Sequence, residues 1–496
     1  MSAKRLKPSL DLLIQEYVLV QAWKKATSYV RSHNWYADTI DLDRTAVNLP
    51  SFLLGLAENI KAHESWENDT IRIVPAPKSQ SWHVMGGAWA PVQLPRSTGG
   101  SGYFQVKLRP LAHVSVRDQV VSTALMLCLA DRVETRQGDP RVAVENPELR
   151  KQVISYGNRL FCDHDAKHNQ LHHRWGSGNI YRGYAQDYQA FLARPEVVAK
   201  SLSGKRVVIV HSDLSKFYDR VKPPLLKKKL RALQDDKDDS RFFDFAGKVL
   251  NWHWHSADSK EVTAYALQAG LDQFSRVALP QGLVAAGFFA NLTLLDFDDA
   301  VRDAFDCNIV DGLVLHDACR YVDDLRLVLT DDCGREMSEI ESVILLWLQN
   351  LLDTHAPGLK VADDKTLAFE FGGDSWPLVR QSRKMTQIQN GVSGGFDAIG
   401  GEEILDAIQG LIRSQERYSK ERIKSEDWSF SPVADVRDDT VARFGAARYR
   451  STYRSLRPLL LDADGCVRSC SDDEDEESYM SHRRQRTREE LDDDAK

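Results

Sequence analysis

The chain has 496 residues, a globular composition and a formal net charge of −7, and its length excludes a single simple core in favour of several domains or subdomains. Eleven acidic against five basic residues from Asp472 to Lys496 carry −6 of that charge, so the rest of the chain is nearly neutral and a polyanion partner is not excluded. Seven cysteines without regular spacing (Cys128, Cys162, Cys307, Cys319, Cys333, Cys466, Cys470) argue against a disulfide framework. With no apolar leader and no apolar run of about 18 residues, they predict a cytoplasmic protein that does not engage a membrane.

From Leu10 to about Ala62 apolar residues recur at helical spacing (Leu13, Ile14, Tyr17, Val18, Ala22, Trp23), which predicts a helical packing subdomain over residues 1–69. Thr70 to Pro110 switches to β-type residues: a strand in IRIVPAP, a loop through Ser97 to Gly102, and a strand in YFQVKLRPL. Helical periodicity returns over Val120 to Val133, and a polar, aromatic-rich stretch runs from Ser155 to Phe191. A short strand, Val207 to Val210, ends on His211-Ser212-Asp213. The lysine run Lys227-Lys228-Lys229 with Arg231 could track a nucleic-acid backbone or form a solvated face, and the charged loop Asp235 to Ser240 reads as solvated surface.

Leu279-Pro280-Gln281-Gly282 fixes a turn before an apolar helix, whose amino end would point amide groups at an anion. CRYVDDLRLVL alternates on both sides of Asp323-Asp324, as a β-hairpin does when its turn is presented at a sheet edge. The helix Ser338 to Leu352 carries Ile340, Val343, Ile344, Trp347, Leu348 and Leu351 on one core-facing stripe. Lys365 then follows the strand-like Leu359 to Ala362. Beyond Trp376 the pattern is helical with distributed basic residues, and past about Cys470 it becomes a charged tail that cannot bury enough apolar surface to fold.

Asp213 ends a buried apolar strand, a costly place for a carboxylate unless it meets a cation or caps the next helix. Asp-Asp pairs recur in this chain, and Asp323-Asp324 is singled out by its setting between two apolar strands. Two adjacent carboxylates at a tight turn, with a third from a separate strand, suit a pair of divalent cations that grip a triphosphate and a primer hydroxyl together.

In order and spacing these segments resemble the reverse-transcriptase palm over about residues 70 to 370: motif A at Asp213, motif B at LPQG, motif C at YVDD and motif D near Lys365. KLRPLAHVSVRDQVV resembles the fingers segment that contacts the triphosphate, through Arg109 with Lys107 as a helper. HSDLSKFYDRV, SYGNRL and LPQGLVAAGFFANLTLLDFD are similar to the bacterial defence-associated reverse transcriptases of the abortive-infection and unknown groups, and match neither retron nor diversity-generating patterns. The resemblance implies an α+β right-hand polymerase: fingers over 70–205, a palm of antiparallel sheet backed by helices over 206–375, a helical thumb or C-terminal domain over 376–470 and a disordered tail over 471–496.

It further implies an RNA-directed or template-independent DNA polymerase in antiphage defence, with dNTPs, an RNA template or noncoding RNA, and a DNA product as partners, and room for a homo-oligomer or an effector partner. Two Mg²⁺ ions, with Mn²⁺ as an alternative, would be held by Asp213, the Leu214 backbone, Asp323 and Asp324. Tyr218, five positions after Asp213, would sit beneath the sugar and exclude a 2′-hydroxyl. Gln281, Gly282 and Lys365 would contact the nucleotide, template or phosphates. An RNA-dependent RNA polymerase, or a vestigial palm serving as a nucleic-acid scaffold, are the competing readings. The cluster Cys162, His164, His168, His172 and His173 matches no zinc module, and Trp252-His253-Trp254-His255 reads as aromatic packing.

Overall fold

The computed structural model describes residues 6–33, 39–77, 82–85, 88–91, 108–202 and 204–372. Lys107 and everything expected of the thumb and tail lie outside the described residues. Two compact units divide the chain: Met1–Arg182 with Ala190–Phe371, and Gly183–Gln189 with Gly372–Lys496. In the second, the described residues are Gly183–Gln189, where the Tyr184–Ser201 helix begins, and Gly372.

The first unit is mixed α+β around one continuous hydrophobic core that runs from Leu10 to Ala368. Its N-terminal stretch forms helices Leu10–Leu13, Glu16–His33, Thr39–Val47 and Leu49–Lys61, as the apolar spacing predicts. Strands β1 (Arg72–Pro77) and β2 (Leu108–His113) pair antiparallel, and the segment between them contains a short hairpin, Trp82–Met85 with Ala88–Pro91. The helix Val116–Gln137 is capped by the Ser115 hydroxyl, which accepts from Asp118 N, and ends at Gly138 with φ +74°.

A five-stranded antiparallel sheet carries the segments of interest. Its strands are β3 (Val207–Asp213), β4 (Cys307–Val310), β5 (Leu313–Tyr321), β6 (Asp324–Asp331) and β7 (Leu367–Glu370), in the spatial order β4-β5-β6-β3-β7. Val207 to Val210 and Leu327 to Leu329 are buried on both faces, because both faces are partly covered. Helices Leu295–Asp303 and Met337–His355 pack behind the sheet, the latter through Ile340, Ile344, Leu348 and Leu352. On the opposite face, Phe191 packs against Tyr321 at 5.8 Å and Arg194 pairs with the buried Asp317 at 2.5 Å.

Two surface expectations change. Lys229 points inward, buried on the helix Pro223–Ala232 and paired with Asp296, because its Cβ shares a helical face with Leu225 and Leu226, so the triplet is not one exposed cationic strip. In the loop after that helix, Asp238 pairs with Arg132 at 2.6 Å and Asp239 caps the helix Ser240–Val249, so those acids hold structure rather than only facing solvent.

The histidine-rich stretch folds into a hairpin, Cys162–Asp165 with Gln170–His173. His168 goes to Asp165 at 2.7 Å and His172 to Asp131 at 2.8 Å. His173 is 4% exposed with neither ring nitrogen hydrogen-bonded, and burial, with a smaller effect of Lys25, lowers its pKa to about 3. The folded value lies below the ordinary one, so the contribution of the neutral ring is complete above about pH 6.5 and is lost as pH falls toward 3. Between pH 6.5 and 4 wild-type stability is expected to drop by roughly 3 kcal/mol through this residue. His173→Leu should flatten that slope in urea titrations taken across the range; an unchanged slope would show that another group drives it.

Candidate active site

The strand register converges the three acids. Asp213, the last residue of β3, is the cross-strand partner of Asp324, the first of β6, and Tyr321 partners Asp324 from β5. Val322 and Asp323 are therefore the two loop residues of a tight hairpin, and Asp323 O accepts from Leu214 N at 3.0 Å. All three carboxylates thus sit at one end of adjacent strands, although 110 positions separate Asp213 from Asp323 in the chain.

Val322 has φ +58°, a left-handed conformation that costs a β-branched residue on the order of 1–3 kcal/mol. A buried platform holds it there. Arg320, fully buried, donates from Nη1 to Val322 O at 2.7 Å and from Nε and Nη2 to the Asp298 carboxylate at 2.9 and 2.6 Å. Asn291 Oδ1 accepts from Arg320 Nη1 at 3.2 Å and from Ser155 Oγ at 3.1 Å, while Asn291 Nδ2 donates to Gly157 O at 2.8 Å. The Ser155 segment lies parallel to the end of β5: Tyr156 N donates to Arg320 O and Arg320 N to Ile154 O, each at 2.8 Å.

Gly157 lies directly beneath the turn. A Cβ on it would come within 2.6 Å of both Val322 N and Val322 Cγ2, and one of those is backbone that cannot swing away. Gly157→Ala is expected to displace the turn, to cost about 1–3 kcal/mol of stability as overpacking, and to reduce any activity of the acids about 100-fold. Thermal melts read beside turnover test this, and a fully active alanine variant would refute it.

Lys365 Nζ meets Asp213 Oδ1 at 2.8 Å, with the Asp213 side chain 13% exposed and that of Lys365 48%. Its place is fixed from below: Thr366 Oγ1 shares a hydrogen bond with Ser212 Oγ at 2.9 Å, and Ala362 N donates to Asp213 O at 2.8 Å. Tyr218 is half-buried beside the acids, edge-on to Phe217 at 5.5 Å, and its Oη accepts from Asn158 Nδ2 at 3.0 Å. Burial first, and then the Asp323 charge, push the Tyr218 hydroxyl pKa up.

Gln281 and Gly282 form a joint with the segment that bears Arg109. Gln281 O accepts from Ala112 N at 2.7 Å, and Gly282 O from Gln119 Nε2 at 2.8 Å. Arg109 stands half-buried on β2, opposite Ala76. The Gln281 side chain donates from Nε2 to Asp219 Oδ1 at 3.1 Å.

Among the described residues no three His, Cys, Asp or Glu side chains already converge as a metal cage. The Asp213 carboxylate is engaged instead by the Lys365 ammonium. The donor types on these adjoining strand ends, carboxylate oxygens, are the ones that hard divalent ions take. Sequence reasoning missed Gly157, Arg320, Asn291 and Asp298. Their signal was weak: SYGNRL stood out, but nothing local tells that it pairs with a strand end 165 positions later.

No family model matches this chain, and no curated protein matches it. Among solved structures it is similar to apo telomerase from Candida tropicalis truncated from its C-terminal domain, at 12% identity and a TM-score of 0.27 over 65% of this chain and 56% of that one. It is also similar to apo telomerase from Candida tropicalis, at 12% identity and a TM-score of 0.26 over 55% of this chain and 53% of that one. The chain thus spans little more than half the length of either, and likeness at this level carries no weight for activity. Among the described residues no helix is long and apolar enough to cross a membrane.

Proposed function

We propose that the chain is a reverse-transcriptase-type nucleotidyltransferase, an RNA-directed or template-independent DNA polymerase that acts in antiphage defence. The observation that carries this reading is the register that makes Asp213 and Asp324 cross-strand partners with Asp323 in the adjoining turn. In this reading Asp213, Asp323 and the Leu214 backbone hold two Mg²⁺ ions, or Mn²⁺, and Asp324 supports the pair. Bound there, the ions would lower the pKa of an attacking hydroxyl and neutralise the leaving pyrophosphate.

The side chains then position and neutralise, the general pattern in phosphoryl transfer. Lys365, already within reach of Asp213, moves from the carboxylate to the phosphates of an incoming dNTP. Arg109, with Lys107, meets the same triphosphate. The Tyr218 ring, braced by Asn158 and Phe217, limits the room at the sugar, which favours dNTPs over NTPs and separates this reading from an RNA-dependent RNA polymerase.

The test is purified protein incubated with Mg²⁺ and each labelled nucleotide, with and without an RNA template, followed by sequencing of any product and protease treatment for covalent attachment. Incorporation of dNTPs but not NTPs is expected. Incorporation of NTPs instead identifies an RNA polymerase, and complete inertness with metal bound nowhere identifies a scaffold.

A further inference from the structure

Asp219 is a buried carboxylate that the chemistry above does not use. It is 5% exposed, on the short helix Phe217–Arg220, and both of its oxygens go to side chains from distant parts of the chain. Oδ2 accepts from Tyr265 Oη at 2.6 Å, and Oδ1 accepts from Gln281 Nε2 at 3.1 Å. Neither bond closes a local turn or caps a helix. Burial keeps the Asp219 pKa above the ordinary carboxylate value, so the fold carries a cost for this group that a neutral side chain would avoid.

What the carboxylate supplies is direction. With Tyr265 Oη and Gln281 Nε2 both donating to it, the carboxylate acts as an acceptor on both sides, and the NH₂ end of the Gln281 amide faces Asp219. The Gln281 backbone is immobilised as well, through the 2.7 Å bond that its carbonyl accepts from Ala112 N and its bridge to Leu111. Tyr265 holds the far side of the carboxylate, with Lys216 Nζ 5.8 Å from the centre of its ring. The amide is thus held at its nitrogen end by the Asp219 carboxylate.

We propose that Asp219 and Tyr265 are positioning residues that lock the Gln281 carboxamide in one orientation, so that Oε1 is presented as a fixed acceptor to a hydroxyl or amine donor of the incoming nucleotide. The inference rests on the polymerase reading of the neighbouring aspartates and adds to it a specificity device that those aspartates do not contain. An orientation-locked acceptor rejects nucleotides that lack the matching donor, because the locked carbonyl then stays desolvated and unpaired.

The experiment is steady-state dNTP incorporation by full-length wild type, Asp219→Asn, Tyr265→Phe and the double variant Asp219→Asn/Gln281→Glu. Asparagine keeps the shape of aspartate but can donate, so the Gln281 amide is free to flip. KM for dNTP is expected to rise about tenfold in Asp219→Asn and about threefold in Tyr265→Phe, with kcat within about twofold and unchanged melting. The double variant restores an acceptor-only group facing a donor, and KM should return toward wild type. A wild-type KM in Asp219→Asn, or equal losses in kcat and stability with no recovery in the double variant, overturns the inference alone. A wild-type protein that incorporates no nucleotide overturns the polymerase reading and the inference with it.

Discussion

Asp323→Ala protein is expected to fold like the wild type and to lose nucleotide incorporation by at least about three orders of magnitude. Asp323 is a loop residue of the hairpin, held through its backbone carbonyl by Leu214 N, a bond that alanine preserves. With that backbone contact kept, melting should stay close to that of the wild type. Incorporation is another matter. Stabilisation by a bound metal of the charge developing in the transition state is worth several kcal/mol, and each ~1.4 kcal/mol is a factor of ten in rate.

Asp213→Asn should lose activity as severely, and it also weakens the contact with Lys365, whose exposed ammonium contributes little to stability. Primer-extension or untemplated incorporation assays, paired with circular dichroism melts, give both readouts. Asp323→Ala protein with more than a few per cent of wild-type activity would overturn the metal-binding role proposed for these acids.

Much of this arrangement is written in short stretches of sequence. The alternation of CRYVDDLRLVL specifies β5, a two-residue turn and β6, and the apolar Val207 to Val210 specifies the strand that delivers Asp213. Hydrophobic period and turn length fix such features locally. The core stripe of the Met337–His355 helix is legible for the same reason. What was not legible depends on pairing between distant segments. That Ile154 and Tyr156 grip Arg320 and that Gly157 fills the space under Val322 follow from tertiary contact between stretches each unremarkable alone.

Lys229 shows the same limit from the other side. A run of three lysines reads as one cationic strip, but consecutive helical residues point about 100° apart, so one of them turns inward to Asp296. The LPQG turn that holds Gln281 stood out in the sequence, but the carboxylate that its amide meets did not, since Asp219 lies 62 positions earlier.

Arg320→Met should be the most damaging change away from the acids themselves. Arg320 is a fully buried cation whose guanidinium satisfies the Asp298 carboxylate with two bonds, Asn291 with a third and the strained Val322 carbonyl with a fourth. Methionine fills similar space but leaves Asp298, 3% exposed, without its counter-charge, and breaking a buried pair from one side costs about 3–5 kcal/mol. Chemical denaturation should show that loss, and incorporation should fall with it because Val322 is released from its left-handed conformation and Asp323 moves with the turn. The double variant Arg320→Met/Asp298→Leu separates the two effects. Replacing both charges by apolar groups should recover most of the stability, as buried pairs often permit. It cannot restore the bond to Val322 O, so activity should remain low. If the double variant regained stability and activity together, the platform would be packing alone, and the turn would hold its shape without it.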